Sequence, residues 1–182
     1  NVSYAALIPN QRGYDRFRVA NIPVLAFVVS VSETHNRKNL NRSVAEHLQA
    51  FRPVAERAKA EGKLLRMYAS TCFGCPYEGR ITTHQTIDVV KQLVSMGADE
   101  IAIAASLGVG TPNQTRELVR AVAGEFPINK IGLHLHDTYG RALVNLQAGF
   151  EEGVRTFDAS LGGLGGCPYA PGASGNVATE DV

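Results

Sequence analysis

Six short apolar runs rich in β-branched residues alternate with amphipathic stretches along nearly the whole chain. This alternation is what most constrains the fold. The runs fall at residues 4–8, 23–30, 64–69, 100–105, 130–136 and 156–161. Between them, helical spacing is expected at 14–20, 43–61, 83–96, 112 to about 125, and 141–152. The run at 23–30 is almost continuously apolar, as a parallel strand covered on both faces requires. Helix boundaries are marked by their own chemistry. Ser43 and Glu46 form a capping pair ended by Gly62, and Thr111 precedes Pro112 at a first helical turn.

Repeated β-α units with short links imply a parallel α/β sheet, either doubly wound or closed into a barrel. The reactive residue types cluster at strand C-terminal ends or just after them, over most of the chain. A barrel gathers such loops at one mouth, so the expected fold is a (β/α)8 TIM barrel. Eight strands close that barrel and six are found, so one partial domain over 1–182 is expected, with the first strands and last helices absent. Residues 179–182 read as the first turn of a further helix.

Several function classes are excluded by composition. The net charge is +1, and no basic tract suits nucleic acid or an anionic membrane. No run of 18 apolar residues exists, so no spanning helix is expected. The first ten residues lack the form of a signal peptide. Three cysteines, an odd number, argue against a disulfide framework and for a reducing, cytoplasmic setting.

His134 and His136 are the leading candidates for chemistry. Alternation along a strand puts both on one face, about 7 Å apart, where two imidazoles can converge on one metal ion. Asp137 points away from them and suits a supporting or helix-capping role. A glycine-rich segment, residues 162–176, follows the last strand. It carries a thiol, Cys167, suited to general acid or nucleophile work, and an amide oxygen, Asn176. Its glycines let backbone pass close to a ligand.

Other motifs are weaker. Cys72 and Cys75 have CxxC spacing but no second pair and no following helix, so they read as a shaped βα loop lining the cavity. Residues 32–39 read as a polar, partly basic loop able to meet an anionic substrate. The Gly108-Val-Gly110 pair lacks the rest of a dinucleotide fingerprint. His47 and His84 fall on expected helices as surface residues.

Taken in order, the motifs span nearly the whole chain. They are Ser32-Glu33 through Lys38-Asn39, the run from Cys75 to Gly79, Gly108-Val-Gly-Thr-Pro112, the run from His134 to Gly140, and the long segment from Gly162 to Asp181. The chain thereby resembles the 3-hydroxy-3-methylglutaryl-CoA lyase family, metal-dependent TIM-barrel enzymes related to isopropylmalate and homocitrate synthases. The Gly-Gly-Cys-Pro-Tyr-Ala segment separates the lyases from the synthases.

The resemblance implies cleavage of 3-hydroxy-3-methylglutaryl-CoA to acetyl-CoA and acetoacetate, as in leucine degradation and ketone body metabolism. It implies Mg²⁺ or Mn²⁺ held by His134, His136 and Asn176, with Cys167 protonating the departing carbanion. An acyl-CoA substrate and a homo-oligomer are expected with it. Two departures accompany it: the chain starts after the family's Arg-Asp-Gly strand, and Ala105 stands where the family usually has Asp. If that Asp is a base facing the metal, the alternatives are a lyase for another 3-hydroxyacyl-CoA or a catalytically impaired homologue.

Overall fold

In the computed structural model, residues 2–169, 172–173 and 175–182 are described. The elements in order are β1 (Ala5–Leu7), α1 (Gln11–Ala20), β2 (Val24–Ser30), α2 (Glu33–Leu40), α3 (Val44–Ala60), β3 (Leu64–Ser70), the short hairpin β4 (Gly74–Cys75) and β5 (Gly79–Arg80), α4 (Thr83–Ser95), β6 (Glu100–Ala105), α5 (Pro112–Ala123), β7 (Ile131–Leu135), α6 (Ala142–Glu151) and β8 (Thr156–Asp158).

The main sheet has six strands in the order β1-β2-β3-β6-β7-β8, every pair parallel. Each new strand joins the same growing edge. A doubly wound sheet reverses that direction at its switch point, so this is the winding of a barrel, here in part.

Alternation along each strand sorts the layers. Leu25, Phe27 and Val29, Leu65 and Met67, Ile101 and Ile103, and Ile131, Leu133 and Leu135 are all fully buried under the helices. Phe27 stacks on Phe51 of α3 with ring centroids 3.7 Å apart. Burying side chains of this size contributes roughly 1.5–3 kcal/mol each. The intervening residues face the barrel interior: Ala26 and Val28, Arg66 and Tyr68, Ala104, and His134.

Local chemistry sets the helix starts. Ser43 accepts from the Glu46 amide and Glu46 accepts from the Ser43 amide, a complete capping box for α3. Thr82 with Gln85 and Thr111 with Gln114 do the same for α4 and α5.

Four expectations are corrected. Residues 33–40 form a helix, not a loop: Ser32 caps it through the His35 amide, and Asn36 ties it down by accepting from the Ser30 amide and donating to the Arg42 carbonyl. The last strand stops at Asp158, because Leu161–Gly163 turns as a 3-10 helix. Residues 179–181 form a turn rather than a helix. His47 is not a surface residue: it is 3% exposed, beside Phe27. His84 is exposed as expected.

Candidate active site

Parallel strands direct all their C-terminal ends to one mouth, and a cavity of about 630 Å³ opens there. His134, Cys167 and Asn176 line it, with Tyr68, Ser70, Ala104 and Asp158. His136 lies just past the end of β7, buried, its ring centroid 5.6 Å from that of His134. The two histidines therefore share a face, though only His134 lines the cavity. Among the described residues, no three His, Cys, Asp or Glu side chains form a ready metal cluster. The candidate donors are two imidazoles and an amide.

An ionic chain inside the barrel fixes His134. Its Nδ1 lies 3.0 Å from an Asp158 oxygen, and the other Asp158 oxygen accepts from Arg66 at 2.6 Å. Arg66 also pairs with Glu100 at 3.1 Å. Gly132 makes room, since a Cβ there would lie 3.2 Å from the Glu100 carboxylate and 3.3 Å from the Arg66 guanidinium. Burial works to raise the Asp158 carboxyl, but the hydrogen bond from His134 and the Arg66 charge outweigh it and hold it below the ordinary range. An ionised Asp158 accepts Nδ1–H, which leaves Nε2 of His134 as a lone-pair donor. No described residue occupies that nitrogen. His136 is pushed down to about 4 by burial, then by His134, so it is neutral near pH 7. Its Nδ1 is buried and has no partner among the described residues.

Asn176 reaches this centre because the glycine-rich segment folds back onto β7. Asn176 pairs with His136 in an antiparallel bridge, and the Val177 amide bonds the Leu135 carbonyl at 3.1 Å. The return is tight. Gly175 has φ +145°, and a Cβ there would collide with the Gly163 carbonyl oxygen. The Asn176 amide nitrogen donates to the Leu164 carbonyl at 2.9 Å, and its oxygen has no partner among the described residues.

Cys167 is half-buried on the same segment. Its Sγ is 3.7 Å from Nε2 of His35, on the first turn of α2. Tyr77 of the β4-β5 hairpin donates its hydroxyl to the Tyr169 carbonyl at 2.9 Å, bringing the hairpin to this loop. Cys72 and Cys75, expected to line the cavity, do not: both are buried in the apolar core, and burial pushes the Cys72 thiol up to about 12. The Cys75 sulfur sits 2.9 Å from the Ser32 hydroxyl. Asp137 caps α6, accepting from the Ala142 amide at 2.7 Å.

The register also settles Ala105. Ala104 stands opposite His134 and lines the cavity, so Ala105 faces the other way, into the apolar core. A side chain at 105 does not look toward the histidines, which removes the ground for an impaired or altered site. Sequence reasoning missed Arg66, Asp158 and His35. The signal for the first two was present: a charged residue at an inward position of an otherwise apolar strand.

A partly closed parallel barrel, with histidine, amide and thiol groups gathered at its C-terminal mouth, defines the class as a TIM-barrel protein with a polar ligand site. The chain belongs to the HMGL-like family, whose model matches residues 4–182. It is 44% identical over 181 residues to a hydroxymethylglutaryl-CoA lyase of Bacillus subtilis, covering 100% of this chain and 60% of that protein. The crystal structure of hydroxymethylglutaryl-CoA lyase from Pseudomonas aeruginosa superposes with a TM-score of 0.94 at 43% identity, over 99% of this chain and 60% of that one. An HMG-CoA lyase from Acinetobacter baumannii, solved with coenzyme A and 3-methylmalate, matches with a TM-score of 0.94 at 38% identity, over 99% of this chain and 59% of that one. The chain thus spans about 60% of the length of the relatives it matches. These relatives do not favour the readings as a lyase for a different acyl-CoA or an impaired homologue.

Proposed function

We propose that the protein carrying this chain cleaves 3-hydroxy-3-methylglutaryl-CoA to acetyl-CoA and acetoacetate. The observation that carries the reading is the gathering of His134, Asn176 and Cys167 around one cavity, within a family whose matched relatives are named for this reaction. In the reaction the C3 hydroxyl gives its proton to solvent and becomes a carbonyl as the C2–C3 bond breaks, and after product release solvent returns a proton to the Cys167 thiolate. The bond's electron pair goes to C2.

The donor set suits a divalent cation. Asp158 holds His134 in the tautomer that frees Nε2, His136 is neutral, and the Asn176 oxygen has no partner among the described residues. His134, His136 and Asn176 would hold Mg²⁺ or Mn²⁺, which when bound would supply Lewis-acid stabilisation of the oxygen on C3. Cys167 delivers its thiol proton to C2, converting the departing carbanion to the acetyl group of acetyl-CoA. Ala26, Val28 and Phe157 give the cavity an apolar wall beside that carbanion. The chain forms part of one barrel domain.

No helix among the described residues is long and apolar enough to cross a membrane. A cytoplasmic homo-oligomer acting in leucine degradation and ketone body metabolism completes the reading. The test is acetoacetate release from 3-hydroxy-3-methylglutaryl-CoA by the full-length protein with Mg²⁺ or Mn²⁺. An absence of release from folded, metal-saturated protein would refute it.

A further inference from the structure

His35 is 2% exposed, yet it lines the cavity and both of its ring nitrogens are engaged. Nδ1 lies 2.5 Å from the Ser30 hydroxyl, and Nε2 lies 3.7 Å from the Cys167 sulfur. The Ser30 hydroxyl is in turn 3.1 Å from that of Ser70, its register partner across the β2–β3 pairing. A chain of polar groups therefore runs from Ser70 in the cavity, through Ser30 and His35, to the thiol.

We propose that His35 is a positioning residue for Cys167: its Nε2–H donates to Sγ and holds the sulfur at the cavity with the S–H free to point inward. This rests on the reading of Cys167 as the proton donor. Burial keeps His35 below the ordinary histidine value, opposed by the charge of Glu78, so the ring is neutral and carries one hydrogen. When the Ser70 hydroxyl donates to Ser30 and the Ser30 hydroxyl donates to Nδ1, that hydrogen sits on Nε2. The opposite sense would aim the S–H at His35 and leave none for the cavity.

In the reaction, the S–H bond breaks, the proton joins C2, and sulfur keeps the electron pair as a thiolate. The Nε2–H hydrogen bond stabilises that thiolate. The other groups facing this pair are Glu78 and Tyr77 of the hairpin, Lys38 over the Tyr77 ring, and His134, Asp158 and Tyr68 across the cavity.

The test is alkylation of Cys167 by iodoacetamide across a pH series, followed by mass spectrometry of the full-length protein. It needs no substrate, so it stands apart from the lyase assay. Cys72 and Cys75, 2% and 3% exposed, serve as slow internal controls. His35→Phe keeps a buried ring but removes the donor. Alkylation should slow about tenfold at a fixed pH near 7.5, with the profile displaced about one unit upward. His35→Gln, which keeps an N–H donor, should restore most of the rate. In the lyase assay, His35→Phe should lower kcat with little change in KM. Unchanged or faster alkylation in His35→Phe overturns the proposal. Should that variant fail to fold, Ser30→Ala decides: part of the slowing is expected, and none overturns it.

Discussion

His47 offers a measurable acid sensitivity remote from the candidate site. It sits on α3 with its ring 4.8 Å from that of Phe27, and neither ring nitrogen has a partner among the described residues. Burial, then the charge of Arg42, pushes it down to about 4. In the unfolded chain it returns to about 6.5. Between those values the unfolded state binds a proton that the native state resists, so stability falls as pH falls. Above about 6.5 both states are neutral and the stability is fully present. The whole span, about 2.5 units at about 1.36 kcal/mol each, limits the effect to about 3.4 kcal/mol, of which about 2 kcal/mol is lost by pH 5.

His47→Leu keeps a similar volume and removes the titrating group. Denaturant unfolding at about pH 7.5 and about pH 5 should show a drop in stability about 2 kcal/mol smaller in the variant than in the parent. The drop will not vanish, because His136, also held near 4, remains. The same drop in both proteins would refute the reasoning, and would mean that water or a rearranged neighbour solvates the His47 cation.

Asp158→Asn removes the charge that orients His134, and metal affinity measured by calorimetry should fall about 10–100-fold with the fold intact; unchanged affinity would exclude His134 as a ligand held by that carboxylate. Two imidazoles and an amide bring no negative charge, so Mg²⁺ titrated into this 182-residue chain alone should bind weakly, and tight binding would contradict the donor set. Cys167→Ser should abolish most turnover while leaving the thermal midpoint within a degree or two, as expected of a near-isosteric change at a half-buried position outside the apolar core (about ±0.5 kcal/mol); parallel loss of both would mark the thiol as structural. Gly175→Ala, forced against the Gly163 carbonyl, should weaken metal binding more than global stability, because it displaces Asn176; equal losses would show that the loop return is part of the core.

Much of the layout was legible because it depends on near-neighbour rules. Strand alternation placed His134 and His136 on one face, and Ser43 with Glu46 and Thr111 with Pro112 fixed helix starts by local hydrogen bonding. What escaped depended on register. Ala104 and Ala105 are chemically identical in sequence, and only the pairing of Ala104 with His134 says which faces the cavity. The burial of His47 is hidden because a polar residue on a helix is usually outward, and nothing local tells that its ring packs beside Phe27. The polar run at 33–40 hid its helix because its order comes from Ser32 and Asn36 acting as caps and braces, not from an apolar stripe. Asp158 and His134 are 24 residues apart and meet only across the β7–β8 pair.

The in-order winding of the sheet has a consequence for how the protein is made. Each strand joins the one synthesised before it, so a nascent chain can extend one edge as it leaves the ribosome. Ser30, His35, Ser70 and Tyr77 emerge early, whereas the thiol and its loop follow all six strands of the main sheet. Tyr77 waits through the 92 residues that separate it from Tyr169, about 5–18 s at ordinary synthesis rates of roughly 5–20 residues per second. Throughout that interval the growing edge is unpaired and the seat for the thiol is vacant. A nascent chain that has not yet reached Tyr169 carries the histidine pair without the hairpin contact that seats Cys167.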